Sequence, residues 1–209
     1  MRPALPEGFE YCPGYLEPDK ARVLLQTLHQ EMEWQQLPIT LFGRTLLQPR
    51  LIGWCSDHDV HYRYSGTRLS PKPWFAGLDA LRTKLCTEYS AAFNSVLVNA
   101  YRDGQDSMGW HADDEPELGP SPTIASVSLG QARVMRVRPR AGGPSTGFLL
   151  EHGSLLIMSG NSQKDWVHSV PKSRKPLDLR INLTFRYVRP NSSRCSGAAM
   201  IDRPGGRGR

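Results

Sequence analysis

What this chain lacks narrows its function before any motif is read. No stretch of its 209 residues approaches the roughly eighteen consecutive apolar positions that a membrane-spanning helix needs. At the N-terminus, MRPALPEGFEYCPGYLEP places prolines and acids where a secretory signal needs an unbroken apolar run. A soluble, cytoplasmic protein with no membrane partner is therefore expected, the nucleoid or nucleus being alternative sites of action. Cysteines are few: Cys12, Cys55, Cys86 and Cys195 are scattered without a Cys-x-x-Cys pair, which argues against a disulfide scaffold or a zinc finger and predicts free thiols. Internal repeats are missing too. Positive charge is scarce where a large basic surface would need it. Of the net +6, residues 189–209 supply +4 (five arginines against Asp202), leaving +2 for residues 1–188.

The length suits one domain with a substantial core, predicted over residues 1–188 and expected to act as a monomer. The basic segment 189–209 is rich in Pro, Gly and Ser, has little to bury, and is expected to be disordered. Helical spacing is clear in PDKARVLLQTLHQEMEW, with Val23, Leu24, Leu28 and Met32, and in GLDALRTKLCTEYSAAF, with Leu78, Leu81, Leu85 and Tyr89. Residues 38–76 between them are irregular, aromatic and basic. ITLFGRTLLQPR reads as a hairpin with Phe42 and Gly43 at its tip, because glycine permits the turn. From about residue 94 come seven short strand-like runs, SVLVNAY, TIASVSL, ARVMRVR, TGFLLE, SLLIMS, DWVHSV and LRINLTFRYV. They predict an α+β chain, mainly β, built as a sandwich, jelly roll or barrel.

Chemistry concentrates in GWHADDEPELG at 109–119. Acids beside Pro and Gly are ordinary turn residues, and a solvated loop is one reading. In an extended segment, however, His111 and Asp113 share a face, and an imidazole and a carboxylate on one face can reach a single metal ion. A third ligand must come from the remaining histidines. His29 lies in a helix, His58 and His61 in a polar turn, and His152 at a hairpin corner. His168, inside the half-buried strand DWVHSV, is an odd place for a titrating group without a partner and is the preferred third ligand. Two histidines and a carboxylate with open positions form the facial triad of non-heme Fe(II) oxygenases, although these ligands alone do not separate iron from zinc.

A second pattern bears on that choice. Along LRINLTFRYV, Arg180, Asn182, Thr184 and Arg186 alternate with Ile181, Leu183 and Phe185, so one strand face carries two guanidinium groups. A guanidinium on a rigid strand is a bidentate receptor for a carboxylate, as a dicarboxylic cosubstrate would require. A solvated barrel edge is the other explanation. The face bearing Arg136, Arg138 and Arg140 in RVMRVRPR, with KSRK at 172–175, reads equally as a phosphate-binding surface or a solvated strand.

Together, His111-x-Asp113, His168 and the Arg-x-Asn-x-Thr-Phe-Arg string at 180–186 resemble the AlkB-type family of Fe(II)- and 2-oxoglutarate-dependent dioxygenases, in the branch of the animal DNA- and RNA-repair members. The resemblance extends over about residues 38–190 through FNSVLVNAYRDGQDSMGWHADDEPELG, PTIASVSLG, HGSLLIMSG and YSGTRLSPKPW. It implies a double-stranded β-helix, a form of jelly roll, at about 94–188, with N-terminal helices and a nucleotide-recognition lid at about 38–76. It implies Fe(II) held by His111, Asp113 and His168, and 2-oxoglutarate and O2 as cosubstrates. Arg180 would pair with the distal carboxylate of 2-oxoglutarate and Arg186 would support the end nearest the metal, with Asn99, Tyr101 and Asn182 completing the pocket. Asp114 and Glu115 would meet the flipped base, Tyr62 and Tyr64 would cover it, Phe42 would act as an apolar wedge in the duplex, and Arg44 and Arg50 would hold phosphates. The implied activity is oxidative demethylation of bases such as 1-methyladenine and 3-methylcytosine in alkylated DNA or RNA. A protein or lipid hydroxylase of the same chemistry is the alternative. A zinc hydrolase and a binding module with a vestigial site are further rivals, against which the arginine strand speaks.

Overall fold

The computed structural model describes residues 4–41, 43–58, 60, 62–64 and 67–189. In chain order the strands and helices are β1 (Phe9–Cys12), α1 (Pro18–Glu31), β2 (Pro38–Leu41), β3 (Arg44–Leu47), β4 (Leu51–Ser56), β5 (Tyr62–Tyr64), β6 (Thr67–Leu69), α2 (Ala76–Glu88), β7 (Ser95–Tyr101), β8 (Met108–His111), β9 (Ile124–Gly130), β10 (Arg133–Pro139), β11 (Thr146–Leu150), β12 (Ser154–Met158), α3 (Ser162–Asp165), β13 (Trp166–Val170) and β14 (Arg180–Arg186).

Two antiparallel sheets carry the architecture. The larger has the order β1-β12-β9-β14-β7-β4 and the smaller β11-β10-β13-β8. These non-sequential neighbours belong to a jelly roll, as the resemblance implied. Pro18 opens α1, where its missing N–H costs nothing. The helices bury Ala21, Leu24, Leu28, Leu78, Leu81 and Leu85 against Val96, Val98, Ala125, Val127, Ile181, Leu183 and Phe185 of the larger sheet. Alternation along each strand then turns the other residues, polar ones included, toward the second sheet.

That second face determines what the molecule can do. On β14, Arg180 is opposite Tyr101 of β7 and Gly130 of β9, and Asn182 is opposite Asn99 and Ser128. The inner space next to this polar strip is filled by apolar side chains, among them Ile124, Met135, Val137, Phe148, Leu150, Leu156 and Met158. In the smaller sheet, His168 of β13 is opposite His111 of β8 and Val137 of β10.

The seven predicted strands after residue 94 and both helices form, but five strands were not predicted, β5 and β6 inside the segment read as irregular among them. Two, β1 and β4, are edges of the larger sheet and one, β8, is an edge of the smaller. β4 falls inside the segment expected to form the lid. Residues 51–56, read as part of an irregular 38–76 segment, pair with β7 in the core sheet, leaving the β2–β3 and β5–β6 hairpins on either side of them. Gly43 is at the β2–β3 turn with a φ of +75°, as a tight hairpin requires. Phe42, the expected wedge, and residues 190–209, the expected disordered segment, lie outside the described residues, as does His61.

Candidate metal and cosubstrate site

Each predicted inner-site residue arrives by a simple local route. His111 ends β8, Asp113 follows two residues later, and His168 is at the middle of β13 on the inward face. Their ligating atoms all lie within 4.8 Å of one another, and the two imidazole centroids are 4.2 Å apart. Asp113 and His168 are buried and His111 is partly exposed.

The environment prepares each group for metal binding. His111 Nδ1 is 2.9 Å from the Gly109 carbonyl oxygen, which accepts only, so Nδ1 is the donor there and Nε2 is the nitrogen left to face a metal. Burial, reinforced by His111 and resisted by Asp113, pushes the His168 imidazole down to about 3, which leaves it neutral at ordinary pH. For Asp113 burial is the largest influence and opposes ionisation, but Arg186, His168 and His111 outweigh it and hold the carboxyl below the usual carboxylate range. Arg186 donates to Asp113 Oδ1 at 2.7 Å in an ion pair 3% exposed on both sides. Asp113 is therefore an oriented carboxylate.

Beside the triad, Arg180 is 1% exposed. Its Nη2 donates to Ser128 Oγ at 3.0 Å and to Asn182 Oδ1 at 2.5 Å, and the guanidinium carbon is 5.0 Å from the Tyr101 ring centroid. Its Nε and Nη1 are buried with no hydrogen-bond partner among the described residues, and burial lowers its pKa from the usual arginine value. A buried cation with two idle donors costs several kcal/mol unless an anion meets it. A carboxylate accepting from Arg180 satisfies that demand. His111, Asp113, His168, Asn99, Tyr101, Arg180, Asn182 and Arg186 all line one pocket, with Ser126, Thr184 and Met108. Donor set and orphaned guanidinium thus fit a metal ion with a carboxylate-bearing cosubstrate.

The outer residues divide. Asp114 is exposed, and its Oδ2 accepts from Arg140 Nη2 at 2.6 Å. Glu115 is partly buried at the start of a 3-10 turn over 116–118. Tyr62 and Tyr64 lie on β5, but their side chains are outside what is described. Arg50 is buried. Expected to hold phosphates, it is 6% exposed and donates from Nε to Asn99 Oδ1 at 2.9 Å, so it braces the inner pocket and does not face solvent. His152, passed over as a ligand, accepts the Gly130 N–H on Nδ1 at 2.9 Å.

Sequence reading missed several buried polar residues here, Ser126 beside Asn182, Ser128 beside Arg180 and Gln163 beside Asp113. Gln163 of α3 is 2% exposed and accepts the Asp113 backbone N–H on Oε1 at 2.9 Å. A lone glutamine in a short helical turn has no periodic or motif signature that would have marked it.

The chain was compared with known proteins. Residues 8–186 match the model of the 2OG-Fe(II) oxygenase superfamily. The rat protein named alpha-ketoglutarate-dependent dioxygenase alkB homolog 3 is 37% identical over 92% of this chain and 68% of its own length. Its human counterpart is 38% identical over 86% and 65%. The human protein named DNA oxidative demethylase ALKBH2 is 38% identical over 81% and 69%. The chain thus spans about two thirds of the length of these relatives. A solved structure described as that of OsALKBH1 superposes with a TM-score of 0.60 at 18% identity, covering 88% of this chain and all of the other, and supports the fold.

Proposed function

Because the chain belongs to the 2OG-Fe(II) oxygenase superfamily, and within it to the AlkB-type dioxygenases, we propose that it removes methyl groups oxidatively from N-alkylated nucleobases in DNA or RNA. The observation that carries the chemistry is one pocket holding both the His111–Asp113–His168 cluster and the under-satisfied Arg180. Iron(II) is assigned to the three ligands. The 2-oxoglutarate carboxylate distal to the metal is assigned to Arg180, with Asn99, Tyr101 and Asn182 around it, and Arg186 is assigned to fixing Asp113. When bound, metal and cosubstrate supply the oxidising equivalents: O2 and 2-oxoglutarate give succinate and CO2, and one oxygen atom enters a methyl C–H bond, after which the N-hydroxymethyl base releases formaldehyde.

The chain's residues supply order and charge. Buried walls of Met135, Leu150 and Met158 keep bulk water from the pocket. At its mouth the exposed carboxylate of Asp114 complements a base made cationic by N-methylation, and Glu115 follows it. The name of the ALKBH2 relative, a DNA oxidative demethylase, supports a nucleic-acid substrate. No helix among the described residues is long and apolar enough to cross a membrane. The enzyme is proposed to act as a monomer where alkylated nucleic acid occurs, in cytoplasm, nucleoid or nucleus.

The test is formaldehyde release from oligonucleotides carrying 1-methyladenine or 3-methylcytosine, as DNA and as RNA, with Fe(II) and 2-oxoglutarate. Turnover dependent on both additions and on the methyl group is expected. Succinate formation without oligonucleotide turnover would redirect the assignment to a protein or lipid substrate.

A further inference from the structure

Two adjacent carboxylates, only one of which lines the metal site, pose a problem that the three ligands do not solve. Asp113 lines the pocket while its neighbour Asp114 is exposed and lies outside that lining, and the backbone between them fixes which carboxylate enters. The short helix α3 reaches Asp113 directly and Asp114 through Arg140. Gln163 Oε1 accepts the Asp113 N–H at 2.9 Å, while the Gln163 carbonyl accepts from Arg140 Nη2 at 3.0 Å, and the same Nη2 holds Asp114 Oδ2. Asp113 and Gln163 are both about 2% exposed, so water does not substitute for this bond. The amide's orientation is set from its other end, since Nε2 approaches Met158 Sδ at 3.4 Å and Ser162 Oγ at 3.2 Å and leaves oxygen facing Asp113. Arg140 is anchored in turn by its backbone N–H on the Asp165 carbonyl at 2.8 Å.

We propose that Gln163 is a positioning residue for the metal centre: it pins the Asp113 main chain so that this carboxylate faces the ion, while its own carbonyl, through Arg140, keeps Asp114 turned to the mouth. It touches neither metal nor substrate. Arg186 orients the Asp113 carboxylate from one side, and Gln163 fixes the backbone from which that carboxylate springs. The inference rests on the three-ligand site assigned above.

The test measures Mn(II) binding to the apoprotein by calorimetry, with the electron paramagnetic resonance line shape of the bound ion. Gln163→Met keeps volume and loses the acceptor, Gln163→Glu keeps an acceptor oxygen at the same reach, and Gln163→Asn is a second loss variant should the first fail to fold. Loss of a group that orients a ligand typically weakens metal binding about 10- to 100-fold. That range is expected for the Met and Asn variants with an altered line shape, and near-wild-type affinity and line shape for Glu. Loss variants that fold and bind Mn(II) as tightly as wild type would overturn the proposal. So would a Glu variant as weak as Met, because the acceptor would then not be what matters. Asp113→Ala is the control on the underlying reading: a wild type that binds no Mn(II), or binds it undiminished without Asp113, would overturn the ligand assignment itself and this inference with it.

Discussion

Arg180 carries a stability cost that only a ligand relieves. Its cation is buried, two of its donors are idle, and the protein offers hydroxyl and amide oxygens but no carboxylate among its hydrogen-bond partners. Arg180→Met should therefore raise the melting temperature of the apoprotein, since replacing an uncompensated buried charge by an apolar group of similar length removes a penalty. It should also abolish the stabilisation that 2-oxoglutarate gives wild type with Mn(II), and thermal melts with and without cosubstrate read both effects. Arg180→Lys retains charge and loses the bidentate fork. A rise of about 30-fold or more in the 2-oxoglutarate concentration for half-maximal rate is expected, from the roughly 2–5 kcal/mol that truncating a buried charge pair costs. His152 supplies the contrast. Its Nδ1 serves the Gly130 N–H in the larger sheet, so His152→Ala should cost about 1 kcal/mol of stability and leave Mn(II) affinity unchanged, whereas His168→Ala should abolish binding. A calorimetric titration in which the two variants behaved alike would refute the assignment. At this scale the inner site was legible. His-x-Asp and Arg-x-Asn-x-Thr-x-Arg are period-two patterns, and a strand turns such a pattern into a shared face. The direction of Arg50 was not legible, because a lone arginine after Pro49 has no periodicity to say whether it points in or out.

Elements position these residues through contacts that a sequence shows unevenly. The central strands β9, β12 and β14 announce themselves by uninterrupted burial. β1, β4 and β8 are edges whose pairing is decided by distant partners, so local pattern underdetermined them. Gly130 at the end of β9 shows how closely such partners approach. With φ at +82°, a Cβ there would sit 2.4 Å from the Leu179 carbonyl oxygen, one residue before Arg180. Gly130→Ala should cost about 1–3 kcal/mol, and it should weaken 2-oxoglutarate binding as well, because the displaced backbone carries Arg180. A melt together with a cosubstrate titration tests both halves. The loop after β7 is held differently. Asp106, 4% exposed, accepts from Arg102 Nε at 2.8 Å and Nη2 at 2.9 Å, while Arg133 Nη2 donates to the Asp106 carbonyl and to that of Pro171. Burial opposes ionisation of Asp106, but Arg102, with help from Arg133, prevails and its pKa falls below the ordinary 3.8. A depressed carboxyl protonates first in the unfolded chain, so the stabilisation is complete above the unfolded value and is lost as pH falls through the folded one. Asp106→Asn should destabilise by about 2 kcal/mol near pH 7, and the gap from wild type should close below about pH 4. Chemical denaturation across pH measures it, and a gap that persisted unchanged into acid would show that the carboxylate charge plays no part.

For the whole molecule the decisive quantity is where charge sits relative to the pocket. The +6 total is divided so that residues 1–188 carry +2, too little for strong nonspecific attraction to a polyanion. Within the folded body, Arg138 lies 4.4 Å from the centroid of the exposed Trp110, next to His111, and Arg136 is exposed on the same outer strand face. This arrangement suits local guidance of a strand toward the pocket. Under the proposed function, Arg194, Arg203, Arg207 and Arg209, which with Asp202 amount to +3, are predicted to supply longer-range capture. Truncation after Arg189 should therefore separate capture from chemistry. The shortened protein should melt at the wild-type temperature, keep its Mn(II) and 2-oxoglutarate stabilisation, and turn over a saturating methylated oligonucleotide at the wild-type rate. Its KM for single-stranded substrate should rise, and the slope of log affinity against log salt should become shallower by up to about 2, since each phosphate contact on a single strand contributes roughly 0.7. Arg136→Gln with Arg138→Gln in the full chain gives the complementary experiment, and a flattened salt slope from this pair with none from truncation would move capture onto the folded body.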